Sequence, residues 1–360
     1  MSGTSADGID AAIADFSQNT PTLHSTHFEA FSSETHQAIC QLFTPGDNEI
    51  DQMGALDTQL GQLYLRAVEN LLQKNNLQAS DIKAIGLHGQ TIRHRPNFPS
   101  PFTLQIGNPY FLSQELGVTV VSDFRRADMT LGGQGAPLAP LFHQALFASK
   151  DANRVIANIG GISNISYLTQ TEKVIGFDTG PGNGFMDDWI KQHRQQPFDD
   201  GGNWARTGKV QTTLLQQWLQ DPFFLQTPPK STGKEYFTFE KLGLSNLPQH
   251  TPEDIQRTLC ELTATSLANA IQAFCKEAEE IWVCGGGAHN QLLMERIASI
   301  SGLATQSTTD LGIDPNWVEA LGFASLAKAC IEGTHCDTPS ITGARSPSIL
   351  GAIHPAGGSY

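Results

Sequence analysis

The chain has 360 residues, and its 22 Lys and Arg against 36 Asp and Glu give a formal net charge of −14. At roughly 150 residues per domain, this length favours two domains. The acidic balance disfavours a nucleic-acid partner, because binding to a phosphate backbone depends on clustered Lys and Arg. It does not exclude an anionic ligand that is held by backbone N–H groups and a metal ion.

The sequence predicts neither export nor membrane insertion. No run approaches the roughly 18 consecutive apolar residues of a membrane span, and residues 1–10 lack the basic and apolar regions of a secretory signal. The six cysteines are scattered without a C-x-x-C pair. We therefore expect free thiols, no zinc site and a cytoplasmic protein.

The first half of the chain predicts alternating strands and helices. Apolar residues at spacings of three and four predict an amphipathic helix over 51–74. Short apolar runs predict strands at 9–16, 82–87, 102–106 and 118–121. A Gly- and Pro-rich stretch at 132–137 marks a candidate domain junction.

The second half follows a similar plan. Strands are predicted at 154–159, 164–168, 173–177 and 281–284, and helices over 251–274, from about 290, and over 317–330. Thr251, followed by Pro252 and two acidic residues, is a typical helix start. The pattern predicts two α/β domains with a cleft between them, and residues 226–243 form a loop that can line the cleft.

Two glycine turns, one in each half, are candidate phosphate-binding loops. Gly3 to Gly8 mixes small residues, hydroxyls and Asp7, whose carboxylate can hold a magnesium ion directly or through water. The second turn, 158–164, contains Gly160 and Gly161 between two predicted strands. An ordinary hairpin turn explains the first pattern as well, since Asp-Gly is a favoured turn dipeptide. Such turns usually follow a strand, so we expect a strand ahead of residue 3 that the sequence does not contain.

Known nucleotide motifs of other folds are not matched. The G-x-x-x-x-G-K-[ST] pattern of a P-loop does not occur, and Gly285-Gly286-Gly287 fails the dinucleotide-binding spacing because position 290 is Asn. A triple glycine after a strand can still admit a base or a phosphate close to the backbone. A packing turn between a helix and a strand explains it equally well.

Asp178 is the candidate general base. It ends an apolar strand and precedes a Gly- and Pro-rich turn and a helix, so it lies at the carboxyl edge of a sheet, where α/β proteins bind ligands. A helix-capping or turn role is the alternative.

Weaker candidates lie elsewhere in the chain. His88, Gln90 and Thr91 follow a predicted strand and suit sugar recognition, although an ordinary turn also fits. Arg125 and Arg126 can bind a carboxylate or a phosphate, and surface ion pairs explain them as well. Glu319 can accept from a ligand hydroxyl or simply be solvated. His94, His143 and His289 lack metal-ligand spacing.

Together these segments resemble the anhydro-N-acetylmuramic acid kinase family of the sugar-kinase and actin-like ATPase superfamily. The matching segments are GTSADGID (3–10), LHGQTIRHRP (87–96), TLQIGNP (103–109), SDFRRADMTLGGQGAPLAP (122–140), NIGGISNIS (158–166), GFDTGPGN (176–183), CGGGAHN (284–290) and EALGFA (319–324). They run in the family's order and span nearly the whole chain.

The resemblance implies ATP- and Mg²⁺-dependent conversion of 1,6-anhydro-N-acetylmuramic acid to N-acetylmuramic acid 6-phosphate in peptidoglycan recycling, and a homodimer. It implies two actin-like (ribonuclease H-like) domains, each a mixed five-stranded sheet with flanking helices, at 1–127 and 128–350, with a tail at 351–360 that returns to the first. Asp178 is then the catalytic base, and Asp7 the magnesium ligand. The implied ATP-binding residues are Gly3, Thr4, Ser5, Ala6, Asp7, Gly8, Ile9, Asp10, Asn158, Gly160, Gly161, Gly285, Gly286, Gly287 and Asn290. We assign His88, Gln90, Thr91, Glu319 and Arg125 or Arg126 to the sugar.

The sequence departs from the family in that family chains carry a first strand before the GTS turn. Without that strand we expect weaker ATP binding or lower stability. Ala6 replaces a larger apolar residue, which is a minor change. The alternative functions are a kinase of the same fold for another sugar or small acid, and a non-catalytic ATP-binding interaction protein.

Overall fold

The computed structural model describes residues 1–3, 5–18, 21–171, 174–233, 236–244 and 249–357. The chain forms two compact units, residues 1–146 with 317–360, and residues 147–316. Along the part of the chain that is described, no helix is both long and apolar enough to cross a membrane.

Strands and helices alternate through both units, as the sequence predicts. The strands are β1 (Gly8–Asp15), β2 (Thr22–Ala30), β3 (Ile85–Gly86), β4 (Gln90–Arg95), β5 (Phe102–Ile106), β6 (Val120–Ser122), β7 (Arg154–Ile159), β8 (Ile162–Leu168), β9 (Val174–Pro181), β10 (Glu280–Cys284), β11 (Ala304–Ser307) and β12 (Ala352–His354). The helices are α1 (Ser33–Gln41), α2 (Glu49–Lys74), α3 (Tyr110–Glu115), α4 (Arg126–Thr130), α5 (Ala139–Phe147), α6 (Gly184–Arg194), α7 (Thr212–Trp218), α8 (Pro222–Leu225), α9 (Pro252–Phe274), α10 (Gln291–Ser301), α11 (Val318–Ile331) and α12 (Pro339–Thr342).

The second unit contains the five-stranded mixed sheet that was predicted. Its strand order is β11-β10-β7-β8-β9. β7, β8 and β9 are antiparallel neighbours, and β10 runs parallel to both β7 and β11. The carboxyl ends of β7, β9 and β10 therefore lie at the same edge of this sheet. The predicted start of α9 is confirmed, since the Thr251 side chain accepts from the Asp254 N–H.

The first unit differs from the predicted five-stranded sheet. Its described strands form β1-β2, β12-β6-β3 and β4-β5 as separate sheets. A cavity separates β1 from β3, so neither strand completes a sheet with the other. The long helix α2 covers this unit with an apolar face that includes Leu60, Tyr64 and Ala67.

The division of the chain also differs from the predicted boundaries at 127/128 and 350/351. Helix α11 belongs to the first unit, because it packs closely on β3 and β1. A Cβ on Gly86 would lie 2.4 Å from the Phe323 carbonyl oxygen, so glycine permits this close approach. The C-terminal tail pairs in the same unit, with β12 antiparallel to β6.

Candidate active site

The amino-terminal turn is tied to the rest of the first unit at several points. The Ser2 hydroxyl lies 2.6 Å from the Tyr64 hydroxyl. The Gly3 carbonyl accepts a hydrogen bond from the Gln90 side-chain amide at 3.2 Å. Gln90, predicted to contact sugar, thus also positions the turn. Thr4, which the resemblance places among the ATP-binding residues, lies outside the described residues.

Three residues of this turn and of β1 are closely packed against their neighbours. Ala6 is fully buried and has a φ of 53°, in the left-handed region. A Cβ on Gly8 would lie 2.5 Å from the Phe28 ring. The Ile9 side chain is buried in the core of the unit. These side chains are therefore packed inside the unit, and the contact of these residues with ATP stays a prediction.

Three carboxylates influence the charge around the turn. Asp7 is exposed and accepts from the Ser5 hydroxyl at 2.8 Å. Burial raises the pKa of Asp10 to about 7; the Met1 amino group opposes this rise, while Asp7 and Glu319 add to it. Within the described ranges no group of three or more His, Cys, Asp or Glu is arranged to hold a metal ion. The exposed Asp7 carboxylate fits a hard cation that would take its other ligands from phosphate oxygens and water.

His88 is held by neighbours on both ring nitrogens. Its Nδ1 lies 2.9 Å from the Gly89 carbonyl, and its Nε2 lies 3.1 and 3.0 Å from Nε and Nη2 of Arg125. Burial, with Arg125 adding to it, lowers the pKa of His88 well below its usual value, so the ring is neutral and Nε2 accepts. Arg125 also donates to the Gly135 carbonyl at 2.8 Å. His88 is therefore built to position Arg125.

Strand β4, which follows His88, carries buried polar atoms without hydrogen-bond partners among the described residues. Gln90 Oε1 and His94 Nε2 are buried, and neither finds a hydrogen-bond partner among the described residues. Burial lowers the pKa of His94 to about 3, with Arg125 and Arg95 adding to the effect. Thr91 Oγ1 accepts from the Gln105 amide at 3.2 Å. Buried polar groups without partners cost about 1–3 kcal/mol, so such atoms mark a place for a polar ligand or water.

His94 and Gln105 were not predicted as site residues. The sequence predicts a polar turn after residue 87, whereas residues 90–95 form β4 and pair with β5. The sequence signal that could have indicated them is the many polar residues in 87–96 and 103–109, two of the segments that resemble the family.

Arg126 lies in a different environment from Arg125. It donates to Asp123 at 2.7 Å in an ion pair in which the arginine side chain is 70% exposed. The two neighbouring arginines are thus not brought together. Glu319, near the start of α11, acts electrostatically on Met1 and Asp10.

In the second unit, three glycine-rich turns pack together at the carboxyl edge of the sheet. The N–H groups of Asn183 and Gly184 donate to the carbonyls of Gly160 and Gly161 at 2.7 and 3.2 Å. A Cβ on Gly182 would lie 2.2 Å from the Gly160 oxygen. The turn after β9 therefore holds the candidate phosphate turn between β7 and β8 in place.

The third turn, after β10, lies against the same strand end. Gly285 has a φ of 76°, and a Cβ there would lie 2.7 Å from Asn158 Oδ1. The nearest side-chain atom to a Cβ on Gly286 would be Asn183 Nδ2, at 3.2 Å. A Cβ on Gly287 would meet Ile159 at 2.5 Å. Close contact with β7 thus requires glycine at 285 and 287.

Asn290 has a structural role as the N-cap of α10. Its Oδ1 accepts from the Leu293 N–H at 3.0 Å, so it caps the amino terminus of α10. A contact with adenosine stays a prediction.

Asp178 lies in β9 and is 6% exposed. Its Oδ2 accepts from the Thr232 N–H at 2.8 Å, and its own N–H donates to the Lys230 carbonyl at 3.1 Å. The carboxylate is therefore oriented by a loop segment that lies about fifty residues further along the chain.

Lys230 fixes that loop segment. Its side chain is buried, its Nζ donates to the Phe223 carbonyl at 3.1 Å, and it lies 4.6 Å from the centroid of the Phe223 ring. Burial lowers the pKa of Lys230, and the charge of Asp178 raises it. Lys230 and Thr232 were predicted only as part of a loop, since nothing in their spacing points to Asp178.

Two further polar atoms near Asp178 are unsatisfied. Asn164 lies opposite Asp178 in the register of β8 and β9. Over the described ranges, Asn164 Oδ1 and Thr232 Oγ1 are buried without a hydrogen-bond partner. A buried carboxylate beside such atoms suits a site that binds a hydroxyl-bearing ligand or a water molecule.

The fold and these sites define a mixed α/β protein whose glycine turns at strand ends suit the binding of phosphate groups. The profile of the family described as "Anhydro-N-acetylmuramic acid kinase" matches residues 1–356. The anhydro-N-acetylmuramic acid kinase of Saccharophagus degradans is 48% identical over 362 residues, with 98% of this chain and 97% of that protein covered. That of Shewanella amazonensis is 47% identical over 366 residues, with coverages of 99% and 97%. The chain belongs to the anhydro-N-acetylmuramic acid kinase family and is a phosphotransferase.

A solved structure shows a weaker likeness. Component A of the (R)-2-hydroxyglutaryl-CoA dehydratase of Acidaminococcus fermentans has a TM-score of 0.44 at 10% identity, with 88% of this chain and 96% of that chain covered. The family assignment rests on the sequence relatives.

Proposed function

We propose that the protein uses ATP and water to convert 1,6-anhydro-N-acetylmuramic acid to N-acetylmuramic acid 6-phosphate and ADP. The observation that carries this proposal is the setting of Asp178. It is a buried carboxylate at the carboxyl edge of the sheet, oriented by a backbone N–H and adjacent to unsatisfied polar atoms. A carboxylate in this position can accept a proton from water.

The proposed reaction needs one carboxylate rather than two. Asp178 takes a proton from water as the water oxygen bonds to the anomeric carbon. The bond from that carbon to the 6-oxygen breaks, and the 6-oxygen takes the γ-phosphoryl group while ADP leaves. In a glycosidase, a general acid must protonate the leaving oxygen. Here the phosphoryl group takes the place of that proton.

The proposed phosphate-binding residues lie in the glycine turns, and most of the proposed sugar-binding residues lie in or near β4. We propose that the turn at 3–10 and the turn that contains Gly160 and Gly161 bind the phosphates, with Asp7 holding Mg²⁺ directly or through water. The ion supplies positive charge that neutralises the phosphates, which is the main need of phosphoryl transfer. His88, Gln90, Thr91 and Glu319 are assigned to the sugar side, with Arg125 favoured over Arg126 for the lactyl carboxylate, because His88 and Gly135 position Arg125.

Several broader expectations remain proposals. They are a role in peptidoglycan recycling and amino sugar metabolism, a homodimer and a cytoplasmic location.

The test measures the rate of ADP release under four conditions. These are the anhydro-sugar, open N-acetylmuramic acid, N-acetylglucosamine and no sugar. We expect turnover that depends on the anhydro-sugar. Equal turnover with the open sugars would assign the protein to another substrate, and ATP binding without any sugar-dependent turnover would indicate a non-catalytic protein.

The variant Asp178→Asn examines the base directly. Loss of a general base lowers turnover by about 10²- to 10⁴-fold, and nucleotide affinity should be retained. Asp188→Asn, at an exposed carboxylate on α6, is the matched control and should leave turnover unchanged. Normal turnover of Asp178→Asn would remove Asp178 from this role.

A further inference from the structure

A β-bulge in β4 brings two polar side chains to one face of the β4–β5 pair. Thr91 lies opposite Gln105 and His94 lies opposite Thr103, and the register shifts between Thr91 and Arg93. Opposite residues of an antiparallel pair project to the same face, and so do residues two apart in one strand. The extra residue in the bulge therefore places Thr91 and His94 on the face that carries Thr103 and Gln105.

The hydrogen bonds on this face run in one direction. The Gln105 side-chain amide donates to Thr103 Oγ1 at 2.7 Å and to Thr91 Oγ1 at 3.2 Å. The Thr103 hydroxyl, which is buried, lies 3.0 Å from His94 Nδ1. Among the described residues, His94 Nδ1 is the acceptor that the Thr103 hydroxyl reaches. The chain of bonds therefore ends on the His94 ring.

This arrangement selects one tautomer of His94. Burial lowers the pKa of His94 to about 3, so the ring is neutral and one nitrogen carries the hydrogen. With the hydrogen on Nδ1, the Thr103 hydroxyl would lose its acceptor, and Nε2 would be a buried acceptor without a donor. With the hydrogen on Nε2, Thr103 donates to Nδ1, and the Nε2 N–H alone lacks a partner among the described residues. The second tautomer leaves fewer buried polar groups unsatisfied and is favoured.

The charges around His94 favour an anionic acceptor for this N–H. Arg125 and Arg95 both act electrostatically on the ring, and each disfavours a positive charge there. Helix α4, which begins directly after Arg125, packs on β5. A carboxylate offers two acceptor oxygens and a negative charge, so it can accept from a guanidinium group and from a neutral N–H together.

We propose that His94 donates from Nε2 to the lactyl carboxylate of the sugar and, together with Arg125, selects a sugar that carries this acid. The choice of sugar rests on the proposed function, whereas the tautomer does not. A sugar with a hydroxyl in place of the lactyl ether would leave the buried N–H without a charged acceptor. Sites that are built to hydrogen-bond one group discriminate strongly against analogues that lack it.

Nitrogen NMR of the unaltered 360-residue chain, recorded without ATP, reports the tautomer and the contact. The His94 ring should show a protonated Nε2 and an unprotonated Nδ1. Addition of 1,6-anhydro-N-acetylmuramic acid should shift the Nε2–H signal and slow its exchange with water. Addition of 1,6-anhydro-N-acetylglucosamine, which lacks the lactyl group, should do neither. An unprotonated Nε2, or the same response to both sugars, would overturn the proposal.

The variant His94→Phe keeps a ring at this position but removes the donor. Loss of a hydrogen bond to a charged group should raise the dissociation constant of the anhydro-muramic sugar by about 10- to 100-fold. For the sugar without the lactyl group, the rise should be less than about threefold. His94→Gln retains an N–H and should recover part of the affinity. His24→Phe, at an exposed position in β2, is the matched control and should bind both sugars as the wild type does.

The outcomes separate this inference from the proposed reaction. An equal loss of affinity for both sugars in His94→Phe would show that the histidine supports the fold of the site rather than contacting the carboxylate, and would overturn the proposal. The wild-type spectra decide it even where His94→Phe does not fold. If the wild type releases no ADP with any sugar but its Nε2–H signal responds as expected, the reaction fails and this inference stands. If turnover depends on the anhydro-muramic sugar but the signal does not respond, this inference alone fails.

Discussion

Arg125 and Arg126 are adjacent in the chain but have different partners. Arg125 lies between His88 and the Gly135 carbonyl, whereas Arg126 forms an exposed ion pair with Asp123. The sequence could not decide between them, because a contact with a carbonyl ten residues away depends on how the chain turns between the two positions. The packing of Arg125 makes it the arginine to test at the sugar site.

Replacing each arginine by methionine should separate their roles. Arg125→Met leaves the His88 Nε2 and the Gly135 carbonyl without their donor, which should lower the free energy of unfolding by about 2–3 kcal/mol. Arg126→Met should change it by less than about 1 kcal/mol, because exposed ion pairs contribute little. Urea unfolding measures both, and the KM for the anhydro-sugar should rise only for Arg125→Met. Similar effects of the two variants would contradict the distinction.

Asp10 should give the stability a characteristic dependence on pH. Its pKa rises from 3.8 to about 7 on folding, so its contribution is fully present below pH 3.8 and is lost as the pH rises through about 7. The Met1 amino group, whose pKa falls from 8.0 to about 6, has the opposite slope above pH 6. The interval from about pH 4 to pH 6 therefore isolates Asp10.

The variant Asp10→Asn removes this titration. The melting temperature of the wild type minus that of Asp10→Asn should fall between about pH 4 and pH 6, measured without nucleotide. Taking the difference cancels the other carboxyl groups. A difference that stays constant, or that grows with pH, would show that Asp10 is not protonated in the folded protein over this interval.

The surroundings of Asp178 show the limit of sequence reasoning about single residues. The apolar run before it predicted a strand that stops at residue 177, whereas β9 continues through Asp178 to Pro181. Its partners Lys230 and Thr232 were not predicted, because they lie on a loop without periodicity. Contacts that a loop makes with a distant strand leave no local signal.

At the scale of elements, helices were more predictable than sheets. The apolar spacing of α2, the capped start of α9 and the Ala-rich pattern of α11 predicted these helices to within a few residues. Sheet pairing in the first unit was not predictable, because β6 pairs with β12 more than two hundred residues away. The polar strand β4 was missed for the same reason, since its strand character depends on β5.

The packing of the turn after β9 against the turn after β7 can be tested at Gly182. Gly182→Ala would place a Cβ 2.2 Å from the Gly160 oxygen, so the two turns must separate. Overpacking of this kind costs about 1–3 kcal/mol, and we also expect weaker ATP binding because Gly160 would move. The measurements are urea unfolding and nucleotide affinity.

Gly54→Ala is the matched control for this substitution. Gly54 lies in α2, and a Cβ there meets no atom within 4 Å. Alanine in an open helix position should stabilise the protein by about 0.5–1 kcal/mol. If Gly182→Ala is as well tolerated as Gly54→Ala, the two turns are not held together as described.

At the scale of the whole molecule, length predicted two domains, and the chain forms two compact units. The boundaries were misplaced because α11 and β12 return to the unit that contains the amino terminus. The net charge of −14 disfavoured binding to nucleic acid but did not bear on the binding of a single nucleotide. Backbone N–H groups, through which such turns can bind phosphate, do not contribute to net charge.

In the proposed reaction, ring opening by water and phosphoryl transfer are coupled, and the mass of the product formed in heavy-oxygen water tests this coupling. The protein is incubated with ATP, Mg²⁺ and 1,6-anhydro-N-acetylmuramic acid, and the sugar product is analysed by mass spectrometry with fragmentation. We expect a product that gains one phosphoryl group and one water, with the heavy oxygen on the anomeric carbon. A phosphorylated sugar without added water, or heavy oxygen found in the phosphate, would contradict it.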